Sequence, residues 1–596
     1  MSMVAKKALL SGDEAIARGA YESGVRVATG YPGTPSSEIL ESLARYKEVY
    51  VEWSVNEKVA LETAIGASFT GVRAMVAMKH VGLNVAADPL MTLSYVGVKG
   101  GLVIISADDP GMHSSQNGQD NRNFAKFAKI PLIEPSDSQE AKDFLSLALE
   151  ISEEYDTPVL FRITTRIAHA KGIVRLGQPV RKKEDPFFVK NPQKYVQVPA
   201  YARVRSLFVE ERLNRLERLS SQIKVNRIEW GSRDLGIITH GVSYQYAREV
   251  FEEPSFLKLG MSYPLPKEII FRFAEEVKKI MVVEEGDSFL EEGIKALGVK
   301  VIDEDLTPRV GELRPDLLLA AKRRLYPAAT TSFSFDSEVP EAPNLPSRPP
   351  LMCSGCPHRG LFYVLSRLKL VVTGDIGCYS LAVFPPLKAM DTIICMGAGV
   401  GNVHGLERAS SPQEAVAVIG DSTFFHSGMT GLLDIVYNKG SATVIILDNG
   451  ATAMTGGQDH PGTGLTLKGD KTRVTSLEAI ARALGVRRVR VIDPYDLKLT
   501  EKVVREELAA QEPSVIISRR ACVLVEKENK KPLTVDHQKC TNCGVCLRLG
   551  CPALGKEPKG KINIDPYLCT GCELCSQVCK FEAVKKTDVS KEAVNA

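Results

Sequence analysis

The stretch from Glu414 to Gln458, EAVAVIGDSTFFHSGMTGLLDIVYNKGSATVIILDNGATAMTGGQ, decides the fold. From Ala415 to Ile419 it is a short apolar run closed by Gly420, the pattern of a strand buried on both faces. From Gly428 to Asn438 apolar residues recur at helical spacing, and from Thr443 to Leu447 a second apolar run follows. The three together read as one βαβ unit. Asp421 directly follows the first strand and Asn449 the second, so both side chains are predicted at the carboxyl edge of a parallel sheet, where open α/β folds bind ligands. A carboxylate and an amide oxygen there suit a hard divalent ion such as Mg²⁺, which in turn favours phosphate oxygens.

The chain of 596 residues is too long for one core and is expected to form several domains. Hydrophobic and charged fractions of 44% and 25% are those of an ordinary globular protein. A formal charge of +3 over this length gives no argument for nucleic acid or a membrane surface as partner. Nor does any apolar run approach a bilayer span. The opening MSMVAKKALLSGDEA lacks the apolar core of a signal peptide and reads as running straight into a helix. The expectation is a cytoplasmic, reducing compartment, in which the 13 cysteines are not disulfides. Nine of them fall in the last 75 residues, which points to metal.

Residues 1–190 alternate strands and helices. A strand from Gly24 to Ala28 leads into Gly30-Tyr-Pro-Gly-Thr-Pro-Ser-Ser37, where glycine and proline fix a turn and Ser36 or Ser37 is predicted to cap the next helix. A strand from Val49 to Trp53 precedes a helix from Asn56 to Phe69, whose small residues let a ligand approach the backbone. Further strands are read from Ala74 to Met78 and from Leu102 to Ser106. The polar loop from Ala107 to Arg122 then becomes a substrate-site candidate. Residues 191–231 read as a connector with a solvated basic helix near Glu211 to Arg218. A third α/β unit occupies 232–325, with strands from Leu235 to Thr239 and from Ile280 to Val283. The proline- and serine-rich residues 326–350 read as an extended linker. Residues 351–525 form the α/β domain of the opening stretch, and 526–596 a cysteine-rich domain with a loose tail.

That last segment contains Cys540-x2-Cys543-x2-Cys546-x4-Cys551-Pro552 and Cys569-x2-Cys572-x2-Cys575-x3-Cys579. Three cysteines at intervals of three wrap one face of an iron–sulfur cube, and the remote fourth ligates the other cluster. The pattern resembles a bacterial ferredoxin with two [4Fe–4S] clusters. On that resemblance one cluster takes Cys540, Cys543, Cys546 and Cys579, and the other Cys551, Cys569, Cys572 and Cys575. The four residues before Cys551, and Lys580 in place of proline after Cys579, are departures that shift a potential or leave a three-iron form. Tetrahedral zinc is the competing metal. Farther upstream, Cys353-Ser-Gly-Cys356, Cys378 and Cys522 make a ligand set for a third cluster, the alternative being that Cys378 and Cys522 are small buried hydrophobes.

Gly420-Asp-Ser422 with Asn449, extended by Met454-Thr-Gly-Gly-Gln458, resembles the thiamine diphosphate motif, with Ser422 where glycine is usual. That cofactor stabilises the carbanion left when a 2-oxo acid loses CO₂. One-electron iron–sulfur carriers on the same chain imply that the electrons are then removed, and no Gly-x-Gly-x-x-Gly fingerprint after a strand offers NAD as the acceptor.

Over nearly its whole length the chain resembles the 2-oxoacid:ferredoxin oxidoreductases, and within them the large subunits of indolepyruvate ferredoxin oxidoreductases. The resemblance is carried by Tyr31-Pro-Gly-Thr-Pro-Ser-Ser37, Asn56-Glu57, Lys79-His-Val-Gly-Leu-Asn84, Gly374-Asp-Ile-Gly-Cys378, Gly420-Asp-Ser-Thr-Phe-Phe-His426 and Met454-Thr-Gly-Gly-Gln458. It implies a pyrimidine-binding domain at 1–190, a transketolase-C-terminal-like domain at 232–325 and a diphosphate- and Mg²⁺-binding domain at 351–525. The implied reaction converts an arylpyruvate, CoA and oxidised ferredoxin to arylacetyl-CoA, CO₂ and reduced ferredoxin. A smaller beta subunit is implied as partner, in an α2β2 assembly, and exposed clusters imply an anaerobic or low-oxygen setting. Glu57 would hydrogen-bond the aminopyrimidine ring, with Glu62 the neighbouring alternative, and Thr34 would donate to the 2-oxo acid. Gly377, Cys378, Gly397, Gly420, Asp421, Ser422, Asn449, Met454 and Thr455 would contact the cofactor. Asp421, Asn449 and the Ala451 carbonyl would hold Mg²⁺. His80, His113 and His426 are candidate acid/base groups. Related enzymes carry an arginine for the substrate carboxylate where this chain has Asp108-Asp109, which leaves Arg122 as the candidate. Two rival readings are a non-redox thiamine decarboxylase and an electron-transfer subunit with a vestigial thiamine site.

Overall fold

The computed structural model describes residues 6–180, 186–302, 306–326, 350–409, 413–525, 530–558 and 560–586. The chain divides into two compact units, 1–336 and 337–596. Most of the expected linker, 327–349, and the tail from 587 lie outside the described residues.

In the first unit a seven-stranded sheet runs in the order Met261–Tyr263, Leu132–Ile133, Val159–Thr164, Leu102–Asp108, Arg73–Lys79, Val25–Gly30, Tyr50–Trp53. All pairings are parallel except the first, in which Met261–Tyr263 lies antiparallel to Leu132–Ile133. The segment read as a separate third unit therefore closes the edge of the first sheet. Its own four strands order as Ile280–Val283, Ser232–His240, Pro254–Leu259 and an antiparallel Arg227–Glu229. Strands Arg73–Lys79 and Leu102–Asp108 are buried at every position, as expected for central parallel strands.

Three expectations are corrected. The N-terminus does not run straight into a helix: Lys7–Ser11 is a strand, antiparallel to Lys171–Arg175. The helix Gly12–Glu22 begins only at Ser11, whose hydroxyl accepts from Glu14 N while the Glu14 carboxylate accepts from Ser11 N, a reciprocal cap. Neither serine of the Tyr31–Ser37 turn caps the helix Ser37–Leu43. Instead Ser36 Oγ donates to Gly33 O at 2.7 Å and Gly33 N donates to Ser37 Oγ at 2.9 Å, so both hydroxyls lock the turn. The basic connector helix, Pro199–Gln222, is not solvated all round. Val209, Arg212 and Leu216 are buried, and Arg212 donates to Asp156 O and Ser94 O; burial brings its pKa down to about 10.

In the second unit five parallel strands order as Val371–Thr373, Ala415–Gly420, Thr443–Asp448, Ser514–Arg519, Arg488–Ile492. The βαβ unit read from the opening stretch is present, its helix being Met429–Tyr437. One turn of π-helix, Phe424–Gly428, precedes that helix, a feature frequent near functional sites. The cysteine-rich segment adds two short antiparallel pairings, Leu533–Val535 with Val584–Lys586 and Leu554–Lys556 with Ile562–Ile564. Its Leu533, Leu549, Ile562 and Leu574 share one apolar core with Ile445, Leu447 and Ile516 of the sheet. The clusters' scaffold and the sheet are thus one packed body. Among the described residues no helix is long and apolar enough to cross a membrane.

Candidate active site at the sheet edges

At the edge of the second sheet Gly420 pairs in register with Leu447, which brings Asp421 beside Asn449. The Asp421 carboxylate accepts from Asn449 N at 3.1 Å and Gly450 N at 2.9 Å through Oδ2, and from Ser422 N at 2.7 Å through Oδ1. Asn449 Oδ1 accepts from Ala451 N at 3.3 Å but also faces two acceptors, Asp421 Oδ2 at 3.3 Å and the Ala451 carbonyl at 2.8 Å. Three oxygens meeting without a proton between them are satisfied either by turning the amide over or by a cation. The second choice uses the donor set that Mg²⁺ prefers, so these residues fit a Mg²⁺–diphosphate group. His358 lies with Nε2 3.4 Å from Asn449 Nδ2, and burial pushes its pKa down to about 4 against the opposing pull of Asp421. His460 Nε2 stands 3.3 Å from Asp421 Oδ2 without hydrogen-bond geometry.

The glycines named from the sequence have local reasons. Gly377 and Gly420 lie against the buried ring of Tyr379, where a Cβ would stand 2.3 and 3.2 Å from its Cε1. The Tyr379 hydroxyl accepts from Gly420 N at 3.0 Å. Gly397 has φ +89° and faces Ser427. Its N–H donates to Asp375 Oδ2 at 2.8 Å, and burial raises the Asp375 carboxyl to about 7. Ser422 Oγ accepts from Thr452 Oγ1 at 3.0 Å, and Thr455 Oγ1 bonds Gln458 Oε1 at 2.5 Å, which closes the loop carrying the exposed Met454. His426 is buried and bonded to Ser427.

The cysteines gather as three sets. The Cys546 thiol is raised by burial and then by Cys540, Cys543 and Cys579. Burial and then Cys572, Cys569, Cys551 and Cys546 raise that of Cys575. Cys356, pushed to about 12, is affected by Cys353 and Cys378, and Cys378, pushed to about 11, by Cys522 and Cys353, burial leading in both. Among the described residues no three thiols lie within 4.8 Å of one another. The third set adjoins the Asp421 edge, because Cys522 N donates to Asn449 O at 2.9 Å. It also adjoins the second set: Gly355 has φ +66°, and a Cβ on it would meet Thr570 Oγ1 at 2.0 Å. Tyr495 donates to Gly355 O from between Cys356 and Cys572.

In the first unit Glu57 opens the helix Glu57–Phe69 and is buried, while Glu62 is exposed and paired with Lys58. The Glu57 carboxylate packs on Gly82, where a Cβ would stand 2.6 Å from its Oε1; sequence reading had quoted Gly82 without seeing this role. Beneath the Thr34 turn, Lys79 reaches Ser114 O at 2.6 Å, and burial lowers its pKa to about 8. His80 is buried against Asn117, Nε2 to Oδ1 3.0 Å, whereas His113 is exposed beside Glu312. Arg122 is corrected as a carboxylate ligand. It is wholly buried and spent on Asp120, Glu284 and the carbonyls of Glu285 and Asp287. Asp108 and Asp109 are likewise structural, the first bound by Arg162 and the second gathering the N–H groups of His113 and Ser114.

Sequence comparison agrees with this geometry. The chain is 41% identical over 592 residues to the indolepyruvate oxidoreductase subunit IorA of Pyrococcus horikoshii, covering 91% of each chain. It is 40% identical over 569 residues to that of Methanothermobacter thermautotrophicus, again covering 91% of each. The chain belongs to the IorA family of indolepyruvate oxidoreductase subunits. Residues 18–203 match the pyruvate flavodoxin/ferredoxin oxidoreductase thiamine diphosphate-binding family, 375–518 the C-terminal thiamine pyrophosphate-binding domain, and 532–585 a 4Fe–4S dicluster domain. It is therefore a thiamine diphosphate-dependent 2-oxoacid:ferredoxin oxidoreductase with an iron–sulfur domain. A 2-oxoglutarate synthase subunit KorA of Methanothermobacter marburgensis is 28% identical over 372 residues, covering 52% of this chain and 96% of that one.

Proposed function

We propose that the chain oxidises arylpyruvates, indolepyruvate foremost, with CoA to arylacetyl-CoA and CO₂, delivering the electrons to ferredoxin. It acts with a smaller beta subunit in an α2β2 assembly. The observation that carries the reading is the Asn449 O to Cys522 N bond, which joins the oxygen-lined edge to a cysteine set and through it to the ferredoxin-like domain. Asp421, Asn449 and the Ala451 carbonyl would hold Mg²⁺ and the diphosphate, with Gly377, Gly397, Ser422, Met454 and Thr455 around them. Glu57, kept dry and fixed by Gly82, would hold a proton on the aminopyrimidine ring. Thr34 would donate to the oxo group of the substrate. Bound thiamine diphosphate supplies the electron sink for decarboxylation. Cys540, Cys543, Cys546 and Cys579, and then Cys551, Cys569, Cys572 and Cys575, would hold two [4Fe–4S] clusters. Cys353, Cys356, Cys378 and Cys522 would hold a third, nearest the reaction.

Mixing the chain and its small partner anaerobically with indolepyruvate and CoA tests this. The expected result is bleaching of iron–sulfur absorbance that requires thiamine diphosphate and is slower with 2-oxoglutarate. Bleaching indifferent to the oxo acid, or none, overturns it. Glu57→Gln is expected to stop the bleaching while iron content stays unchanged.

A further inference from the structure

Asp13 sits in the first turn of the helix Gly12–Glu22, fully buried, and neither of its carboxylate oxygens has a hydrogen-bond partner. An ionised carboxylate so placed is costly unless something cationic pairs with it. Among the described residues no lysine or arginine hydrogen-bonds it. The surroundings are acidic instead: burial, and then Glu38, Glu14 and Glu41, hold the Asp13 carboxyl well above the usual carboxylate range. Glu14 is committed to capping its own helix. Glu38, in the first turn of Ser37–Leu43, and His169, at the end of the helix Thr165–His169, are exposed. One ligand atom from each of Asp13, Glu38 and His169 lies within 4.8 Å of the other two.

Three separate helices thus deliver two carboxylates and an imidazole to one point, with a buried, orphaned oxygen pair at its floor and solvent at its mouth. We propose that Asp13, Glu38 and His169 bind a divalent first-row transition cation, of the Mn²⁺ or Zn²⁺ kind, with water completing the shell. The imidazole favours such a metal over Mg²⁺ or Ca²⁺, whose ligands are oxygens. The site is built wholly within residues 1–336 and shares no residue with the cofactor-binding sets. Glu38 follows directly on the Tyr31–Ser37 turn, so the cation would pin the helix that carries that turn to the helices Gly12–Glu22 and Thr165–His169. This is a positioning role for Thr34.

Mn²⁺ binding to the anaerobic, oxidised holoenzyme, read by electron paramagnetic resonance with thiamine diphosphate and excess Mg²⁺ present, tests the site. The expected result is one bound Mn²⁺ per chain with hyperfine coupling to an imidazole nitrogen. His169→Ala loses that coupling and binds at least tenfold more weakly, and Asp13→Asn binds none. Glu38→Gln and His169→Ala alter only exposed side chains, so they test the site without any effect of Asp13→Asn on folding. Thiamine diphosphate content stays unchanged in all three, which separates this site from the Asp421 edge. No bound Mn²⁺ in the unaltered enzyme, or binding and nitrogen coupling that survive His169→Ala and Asp13→Asn, overturns the proposal.

Discussion

At the edge formed by strands Leu102–Asp108 and Val159–Thr164, every buried arginine has its acids. Arg162 reaches Asp108 at 2.6 Å and Glu134 at 2.8 Å, and Arg122 is held by Asp120 and Glu284. His240 Nδ1 stands 3.1 Å from Glu134, whose carboxyl, like that of Asp120, is held well below the usual range although burial pushes the other way. At the edge after strand Ala415–Gly420, Asp421 meets backbone N–H groups and the Asn449 amide oxygen, with His358 kept neutral beside them. The first edge supplies most of its own opposite charge once folded, Glu285 apart. The second sets a carboxylate against an amide oxygen, with His460 Nε2 3.3 Å from Asp421. A dense group of charges therefore marks stability in one sheet and chemistry in the other, and the difference lies in whether opposite charge is already supplied.

Several substitutions would break or sharpen that contrast. Asp421→Asn removes a formal negative charge facing the Asn449 oxygen while keeping an acceptor for the backbone N–H groups, so turnover and thiamine diphosphate binding should vanish while iron content stays near normal; activity and metal assays check both. Arg162→Met leaves Asp108 and Glu134 buried without their partner, a change that typically destabilises by about 3–5 kcal/mol. Denaturant unfolding should show that loss, against a smaller one for Asp421→Asn. Gly82→Ala drives a methyl into the Glu57 carboxylate. A displacement near 1 Å at a positioning group lowers turnover roughly 100-fold, and steady-state kinetics should find it with folding intact.

The smallest effect is at Glu285, the exception in the completed network. Burial raises its carboxyl to about 7, and Oε1 has no hydrogen-bond partner. Between the unfolded carboxylate range near pH 4.3 and about pH 7 the folded chain holds a proton that the unfolded chain lacks, so stability falls as pH rises through this window. Glu285→Gln cannot ionise, and is expected to gain on the order of 1–2 kcal/mol relative to the unaltered chain on going from pH 5 to pH 8. Asp120 and Glu134 act in the opposite sense, losing their stabilising charge only as pH falls below about 4. Thermal melts across pH 2 to 8 separate the two.

The second edge was legible in the sequence because its information is local. Asp421 and Asn449 each follow an apolar run, and the cysteine sets follow a spacing that survives any uncertainty about helix ends. What escaped was non-local. The strand Lys7–Ser11 exists because Lys171–Arg175 pairs with it, and no window around Ala8 could announce that. Met261–Tyr263 belongs to a sheet whose other strands come before residue 165. Arg122 looked available because Glu284, which occupies it, lies 162 positions away. Gly82 acquired its meaning only when Glu57 was found resting on it. The cage around Asn449 was foreseen as residue types, but the convergence of its oxygens needed the fold.

Thiamine diphosphate binding to the anaerobic enzyme, stripped of divalent ions with a chelator and followed by circular dichroism before and after Mg²⁺ is restored, tests the contrast most directly. The account predicts no binding until Mg²⁺ returns, with the buried arginine–carboxylate network of the first unit and the iron content unchanged by the chelator. Full binding in the presence of the chelator would contradict it.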